Sequence, residues 1–357
     1  MKDCILITGG AGFIGSCLSH QLAGNPSSIV AFDNLHPQIH PDRLRPAGLE
    51  AGTVLFEGDV CNRDDWERLL GEYRPSLIIH LAAETGTGQS LTESVRHAEV
   101  NVTGTAQMLD ALSRHSIRPS RIVLSSSRAV YGEGAWITDD GVVIHPGQRD
   151  ASMLARGEWD FPGARALPFV ADRTPAAPTS IYGATKLAQE HMLASWCRSF
   201  EVEHVILRLQ NVYGPGQSLN NPYTGIVPLF SRLAKAGKSI PLYEDGAMLR
   251  DFVYIDDVAS AIRLALDAPS LPGAPLDVGC GSSISIAELA DIVANHYGAP
   301  AAHVNGLYRN GDVRHAACDP SFTIRHLQWT PHTMANEGIP KLCEWIDSQL
   351  QAEATGA

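Results

Sequence analysis

The chain has 357 residues, 44% of them hydrophobic and 18% charged, so it can form one large domain or two modest ones around a substantial core. Its formal net charge of −12 argues against nucleic acid or an anionic membrane surface as the main partner. The seven scattered cysteines form no CxxC pair, and neither a signal peptide nor a long apolar run occurs, so we expect reduced thiols and a cytoplasmic protein.

Short apolar runs alternate with helical patterns over the N-terminal part of the chain. Runs typical of buried strands lie at 4–7, 29–32, 54–59, 77–81, 121–125 and 205–209, and a helix is predicted near 13–23. Continuous apolar strands that alternate with helices are typical of a parallel sheet covered on both faces. We therefore predict an α/β fold with a doubly wound parallel sheet, and a smaller mixed α/β lobe beyond residue 214.

The stretch 133–178 interrupts this alternation. It is rich in Gly, Pro, Asp and Arg, has weak periodicity, and is too long for an ordinary connection. We interpret it as an ordered insertion that shapes the mouth of a site, with a mobile lid as the alternative.

A glycine loop follows the first predicted strand, where residues 8–15 read TGGAGFIG. Glycines at this GxxGxxG spacing allow a sharp turn, close approach of a pyrophosphate, and tight packing of helix on strand. Asp33 ends the second strand, where a carboxylate accepts hydrogen bonds from a ribose and repels a 2′-phosphate. No arginine directly follows it, which favours NAD over NADP. Gly58, Asp59 and Val60 end the third strand, at the expected adenine edge.

Tyr182 and Lys186 lie four residues apart at the start of a helical run, so a phenol and an ammonium can share one helix face. Positive charge from Lys186 and from an oxidised nicotinamide is expected to lower the pKa of Tyr182 towards neutrality. The fifth strand ends in a serine run that includes Ser127, at the sheet edge where such folds bind ligands. Its hydroxyl can hold a sugar oxygen beside the phenolate. These residues predict a catalytic site for proton and hydride transfer.

Together these motifs resemble the extended short-chain dehydrogenase/reductase family, specifically its nucleotide-sugar epimerases and dehydratases. The resemblance covers nearly the whole chain and rests on TGGAGFIG (8–15), HLAA (80–83), SSSRAVYG (125–132), YGATK (182–186), RLQNVYGPG (208–216), RDFVYIDDV (250–258) and RNGDVRH (309–315). It implies a Rossmann fold that holds NAD through the catalytic cycle, with residues 1–214 as the NAD-binding domain. Segment 251–268 is expected to return to that domain, and 215–250 and 269–350 to form the nucleotide-sugar lobe.

The resemblance also implies roles for individual residues. Tyr182 is the expected base, Lys186 its partner and Ser127 the hydroxyl donor. The expected cofactor-binding residues are Gly9, Gly12, Phe13, Ile14, Gly15, Asp33, Asn34, Asp59, Val60, Leu81, Ala82, Ala83, Asn101 and Ser125, together with Tyr182 and Lys186. The expected substrate-binding residues are Thr85, Thr87, Ser127, Arg128, Asn211, Arg250 and Arg309, with Asp312 near the nucleoside ribose.

The residues after Ser127 indicate which reaction to expect. Dehydratases of the family carry an acidic pair there, whereas this chain has Arg128 and Ala129, which cannot perform that elimination. We therefore predict C4 epimerisation by transient oxidation and re-reduction. The stretch AAETGTGQS (82–90) and the insertion resemble the group that acts on dTDP-L-rhamnose, and the insertion lacks cysteines, so no metal site is expected.

Alternatives to this reaction are a UDP-hexose 4-epimerase, a 4-keto-sugar reductase with the same Tyr182 and Lys186, and a non-catalytic NAD-binding protein. The family resemblance further implies a homodimer in which the regions 92–114 and 181–200 pack as a four-helix bundle. No nucleic-acid or membrane partner is expected.

Overall fold

A seven-stranded parallel sheet lies at the centre of the molecule. The computed structural model describes residues 2–219, 225–270 and 272–355. The strands are β1 (Lys2–Thr8), β2 (Ser28–Asp33), β3 (Val54–Glu57), β4 (Tyr73–His80), β5 (Arg121–Ser127), β6 (Trp136–Thr138), β7 (Val143–Ile144), β8 (Ala164–Ala166), β9 (Glu203–Leu209), β10 (Asn211–Tyr213), β11 (Pro241–Leu242), β12 (Leu249–Tyr254), β13 (Leu276–Val278), β14 (Ser283–Ser285), β15 (His303–Val304) and β16 (His315–Ala316).

Helices surround these strands on both sides of the large sheet. They are α1 (Phe13–Gln21), α2 (Arg63–Glu72), α3 (Thr87–Ser90), α4 (Ser94–Ala98), α5 (Gly104–Arg114), α6 (Ala151–Ala155), α7 (Ile181–Ser199), α8 (Ile226–Lys235), α9 (Ile255–Asp267), α10 (Ile286–Tyr297), α11 (Ser321–Leu327) and α12 (Ala335–Thr355). A π-helical turn (Glu99–Thr103) joins α4 to α5, and a 3-10 turn (Arg128–Tyr131) follows β5. In the described part of the chain no helix is long and apolar enough to cross a membrane.

The large sheet has the order β13-β9-β5-β4-β1-β2-β3, with every neighbouring pair parallel. All six predicted strands belong to it, which confirms the doubly wound α/β fold. Alternate residues of β1 pack into two different cores: Ile5 and Ile7 face the α9 side, whereas Cys4 and Leu6 face α2 and α5. Burial on both faces explains why these strands are uninterrupted apolar runs.

One part of the predicted domain division is wrong. It placed 269–350 in the second lobe, but Leu276–Val278 forms β13, which pairs with β9 and completes the large sheet. Leu327 and Trp329 also pack into the core of that sheet. A three-residue strand is too short to show a period in the sequence, which is why this return was not predicted. Helix α9 packs against α1 and β5, on one face of the sheet.

The second lobe is the four-stranded sheet of β10, β12, β14 and β16 with the helices α8, α10 and α12 packed on it. The amphipathic helix α8 buries Val227 and Phe230 in this lobe. Helix α10 begins with a capping box between Ser285 and Glu288 and ends at Gly298 in the left-handed region. The capping box and Gly298 thus fix where α10 begins and ends within this lobe.

The insertion (residues 133–178) forms the three-stranded antiparallel sheet β7-β6-β8 and the short helix α6. It is anchored at both ends, because Glu133 and Thr174 are buried and Phe169 makes a bridge to Cys318. Trp136 is also fully buried, with its ring edge against Phe161. These contacts are those of an ordered element.

Candidate active site

A cavity of about 670 Å³ opens at the carboxyl ends of β1, β4, β5 and β9. Parallel sheets with this winding bind ligands at that edge, where the strand order reverses. The glycine loop lies at one end of the cavity, and Ser127, Tyr182 and Lys186 line it as well. Residues that lie far apart in the sequence therefore meet in one space.

The glycine loop is shaped by close backbone contacts. Gly9 has a φ of 66°, and a Cβ there would lie 2.7 Å from the backbone nitrogen of Ala82. Gly10 was missed in the sequence: its Cβ would lie 2.7 Å from the Cβ of Ala31, so it is the glycine that lets the loop rest on β2. No side chain caps the first turn of α1, which begins after Gly12. Such an uncapped helix end suits a pyrophosphate.

The Asp33 carboxylate is held at the end of β2 by two backbone donors. It accepts hydrogen bonds from Ala11 N at 3.0 Å and from Leu35 N at 2.9 Å. Beside it, the Asn34 amide donates to Asp59 at 3.2 Å. These residues line the cavity at the end predicted for the adenosine ribose.

Tyr182 and Lys186 are placed by the start of α7. Ser180 caps this helix by accepting a hydrogen bond from Gly183 N at 3.0 Å, which turns the first helical residues towards β5. Lys186 is 2% exposed and Tyr182 half-buried, one turn apart on the cavity wall. Ser127 ends β5, and its hydroxyl lies near enough to Tyr182 to lower the pKa of the phenol. The helix and the strand thus bring hydroxyl, phenol and amine into one site.

The electrostatics of this site differ from the sequence expectation. Burial raises the pKa of Tyr182 above its ordinary value, while the Ser127 hydrogen bond and the charge of Arg128 oppose that rise. Burial also lowers the pKa of Lys186 to about 7, against the opposing charge of Glu190. Lys186 is therefore only partly charged near neutral pH. The side chain that lowers the pKa of the phenol by its charge is Arg128 rather than Lys186.

Arg128 follows Ser127 directly and lines the cavity. Its Nε donates to the Asn211 side chain at 2.6 Å. Burial, and then the like charge of Arg250, lower the pKa of Arg128 to about 9, so the guanidinium is still protonated near neutral pH. The position that holds acids in dehydratases thus holds a cation here.

A buried network behind Lys186 was not predicted. Glu190, one turn further along α7, accepts from Ser126 Oγ at 2.5 Å and from two nitrogens of Arg208 at 2.7 and 3.0 Å. Arg208 lies over the ring of Tyr131, whose hydroxyl donates to Asp277 at 2.8 Å. The i+4 spacing of Glu190 from Lys186 was the available signal.

His80 ends β4 and was also missed as a structural part of the site. It is fully buried between Thr8 Oγ1 at 2.7 Å and Thr105 Oγ1 at 2.9 Å. Burial and the charge of Lys186 lower the pKa of His80 to about 3, so the ring is neutral at physiological pH. A histidine inside an otherwise apolar strand was the signal in the sequence.

The structure places most predicted ligand-binding residues on the cavity wall, but not all. Thr85, Thr87, Arg128 and Asn211 line it, as do all of the predicted cofactor-binding residues except Asn101. The fully buried Asn101 amide instead bonds the backbone of Glu84 on both sides, at 2.8 and 3.1 Å, and the side chain of Thr185. It supports the loop that bears Thr85 and Thr87.

Three predicted substrate ligands lie outside the cavity wall: Arg250, Arg309 and Asp312. Arg309 is exposed and stacks over Tyr243, while Arg250 is buried and donates to backbone carbonyls. Two unpredicted amides do line the cavity, those of Gln210 and Gln217. Among the described residues no cluster of three or more His, Cys, Asp or Glu side chains could hold a metal ion.

The chain matches the model of the NAD dependent epimerase/dehydratase family over residues 5–149 and 161–281. It is 55% identical to the dTDP-L-rhamnose 4-epimerase of Burkholderia thailandensis, over 97% of this chain and 95% of that protein. Its structure is similar to that of the UDP-glucose 4-epimerase of Thermotoga maritima with UDP-glucose, with a TM-score of 0.78 and 26% identity over 98% of this chain and 99% of that one. The structure of the Thermus thermophilus UDP-glucose 4-epimerase in complex with NAD is also similar, with a TM-score of 0.75 and 28% identity over 96% of this chain and 98% of that one.

Proposed function

Because this chain belongs to the NAD dependent epimerase/dehydratase family, we propose that it is an NAD-dependent nucleotide-sugar 4-epimerase. The observation that carries the proposal is one cavity lined by the glycine loop, Asp33, Ser127, Tyr182 and Lys186. A dinucleotide-binding end and a proton-transfer end thus share one space. Oxidation of a bound sugar at a carbon beside Tyr182 follows from that arrangement.

The residues present fit NAD. Gly9 leaves no room for a Cβ beside Ala82, so the glycine loop lies directly against the end of β4 and borders the space for a pyrophosphate. The uncapped start of α1 offers donors to the same group. Asp33, already held by two backbone N–H groups, presents its carboxylate to a ribose diol and disfavours a 2′-phosphate. When bound, NAD supplies the hydride acceptor at the sugar carbon and returns that hydride later.

The side chains of the site handle the proton. Tyr182 as phenolate takes the proton of the sugar hydroxyl, and Ser127 holds that oxygen by a hydrogen bond. Arg128 stabilises the phenolate by its charge and helps to bring the pKa of Tyr182 down from the value that burial imposes. After the keto-sugar turns over in the cavity, Tyr182 returns the proton. Because the turned keto-sugar presents its opposite face, a hydride supplied by bound NAD would leave the carbon inverted.

We propose dTDP-L-rhamnose as the substrate and dTDP-6-deoxy-L-talose as the product. The proposal is supported by the 55% identity to a dTDP-L-rhamnose 4-epimerase, against 29% to a UDP-glucose 4-epimerase. It is also supported by the small side chains Thr85 and Thr87 on the cavity wall. Arg128 and Ala129 disfavour dehydration, since neither can serve as the acid or base of an elimination.

Incubation of the purified protein with dTDP-L-rhamnose, without added cofactor, tests this function. We expect the two C4 epimers to interconvert with no net change in nicotinamide absorbance, and UDP-glucose to turn over far more slowly. Tyr182→Phe should lose turnover by at least about 100-fold and keep its NAD, whereas Tyr297→Phe, remote from the cavity, should match the wild type. Turnover that requires a keto-sugar and reduced cofactor would identify a reductase instead.

We also propose a cytoplasmic homodimer. Leu91 and Val95 are 58% and 69% exposed beside α4, and α4 packs on α7, so an apolar surface lies at the edge of the predicted four-helix interface. All seven cysteines are free thiols, which suits a reducing compartment. Sedimentation equilibrium of the purified protein measures the assembly.

A further inference from the structure

A cluster of six charged side chains, four of them fully buried, joins the insertion to the second lobe, and the mechanism above uses none of them. It contains the arginines Arg149 and Arg314 and the carboxylates Glu133, Asp160, Glu244 and Asp245. The side chains of Arg149, Arg314, Glu133 and Glu244 are each 1% exposed. Charges buried this deeply are stable only when they are paired and hydrogen-bonded, so the cluster permits few arrangements of its segments.

Arg149, from the insertion, uses all five of its N–H donors. Its Nε donates to Glu133 at 3.0 Å, and its two terminal nitrogens donate to the two oxygens of the Glu244 carboxylate at 2.8 and 3.0 Å. The remaining two donors bond the backbone carbonyls of Trp159 at 3.1 Å and Asp312 at 2.9 Å. A guanidinium with no spare donor cannot turn without breaking a buried hydrogen bond.

The segment that Arg149 holds also contacts Arg250. Glu133 accepts a hydrogen bond from Arg314 N at 3.0 Å, so the insertion holds both Asp312 and Arg314 through their backbones. On its other side, the segment offers the carbonyls of Val313 at 2.7 Å and Arg314 at 3.1 Å to the Arg250 guanidinium. The insertion, the segment 312–314 and Arg250 therefore form one continuous hydrogen-bonded unit.

We propose that Arg149 and Glu133 are positioning residues for nucleotide recognition, acting through the segment 312–314 on Arg250 and Asp312. The inference rests on the proposed function and on the roles that the family resemblance implies, with Arg250 at the diphosphate and Asp312 at the nucleoside. Both residues lie outside the cavity wall but near Arg128, whose pKa their charges shift. Held in place before binding, these groups lose little freedom when the nucleotide arrives, which favours affinity. Tyr182 lies on α7, outside this unit, so the chemical step does not depend on it. The insertion thus serves as a fixed clamp on the nucleotide end of the site.

Binding of dTDP alone to NAD-loaded Arg149→Gln and Arg149→Lys, measured by calorimetry, tests the proposal. We expect Arg149→Gln to lower the affinity and raise KM by about 10- to 100-fold, with kcat within about threefold and NAD content unchanged. Arg149→Lys keeps the charge but not the five donors, so it should recover only part of the affinity. If the Arg149 variants fail to fold, the nearly isosteric Glu133→Gln should still weaken dTDP binding.

Arg121→Gln is the matched control. Arg121 is also buried, at the opposite edge of the sheet, where it donates to Glu203 and to the carbonyls of Ala265, Leu266 and Ala268. It should lose stability as Arg149→Gln does and keep wild-type affinity for dTDP. Folded Arg149 and Glu133 variants with wild-type affinity would overturn the inference, as would a control that weakens dTDP binding equally. A wild-type protein that keeps NAD yet neither binds dTDP nor epimerises its sugar would instead overturn the proposed function.

Discussion

Replacing Lys186 by methionine should stabilise the cofactor-free protein while it destroys activity. The Lys186 ammonium is buried, and its pKa falls from 10.5 to about 7. By linkage, keeping this group charged in the fold costs roughly 5 kcal/mol. Relaxation and water entry reduce such penalties, so we expect a gain of roughly 2 kcal/mol from Lys186→Met near neutral pH. Turnover should fall by about 100- to 1,000-fold because the amine is lost beside Tyr182.

The sign of the effect follows from proton uptake. Between the folded pKa of about 7 and the unfolded value of 10.5, the unfolded chain binds more protons at Lys186, so wild-type stability rises with pH across that window. Below about pH 7 the penalty is fully present. The advantage of Lys186→Met should therefore be largest at acidic to neutral pH and disappear as the pH approaches 10.5.

Urea unfolding of the NAD-stripped proteins at several pH values measures this difference. Lys238→Met is the control, since that lysine is exposed and its removal should change stability little at any pH. A Lys186→Met protein that is less stable than the wild type at neutral pH, or whose stability difference does not change with pH, would refute the reasoning.

Two further substitutions test the ends of the cavity. Asp33→Asn replaces one of the two carboxylate oxygens, which accept separately from Ala11 N and Leu35 N, by an amide nitrogen that cannot accept. NAD affinity should fall by about tenfold and the preference for NAD over NADP should narrow, as titration with both cofactors would show. An unchanged preference would contradict the role of the carboxylate. Arg128→Ala removes the charge that lowers the pKa of Tyr182, so the rising limb of the kcat–pH profile should move to higher pH. A profile that stays in place would contradict that role.

Much of the fold was predictable because its strands are buried on both faces. A run such as residues 4–7 is apolar throughout, since Ile5 and Ile7 fill one core and Cys4 and Leu6 the other. Strand β13 was not predictable, because three residues show no period and its partner β9 lies far away in the sequence. Gly10 was missed for a similar reason: its close neighbour, Ala31, belongs to another strand.

The candidate site also contains residues that the sequence predicts and residues that it does not. Tyr182, Lys186 and Ser127 could be proposed because each follows a local rule, a helix spacing or a strand end. The hydrogen-bond networks around these residues could not be predicted from such local rules. Glu190 was one turn from Lys186, but its partner Ser126 lies 64 residues away, and Arg149 reaches Asp312 across 163 residues. Long-range hydrogen bonds of this kind leave no period in the sequence.

The distribution of charge around Tyr182 links the choice of reaction to the choice of substrate. In a net-acidic protein, Arg250 lies near enough to Arg128 for its charge to lower the pKa of Arg128. Lys186 is only partly charged near neutral pH. A positive region of this kind favours both a phenolate at Tyr182 and an anionic diphosphate. The two residues after Ser127, Arg128 and Ala129, supply no carboxylate for an elimination. The same arginine that replaces the acids of a dehydratase therefore supports the base of an epimerase, and the keto-sugar is left with reduction as its path forward.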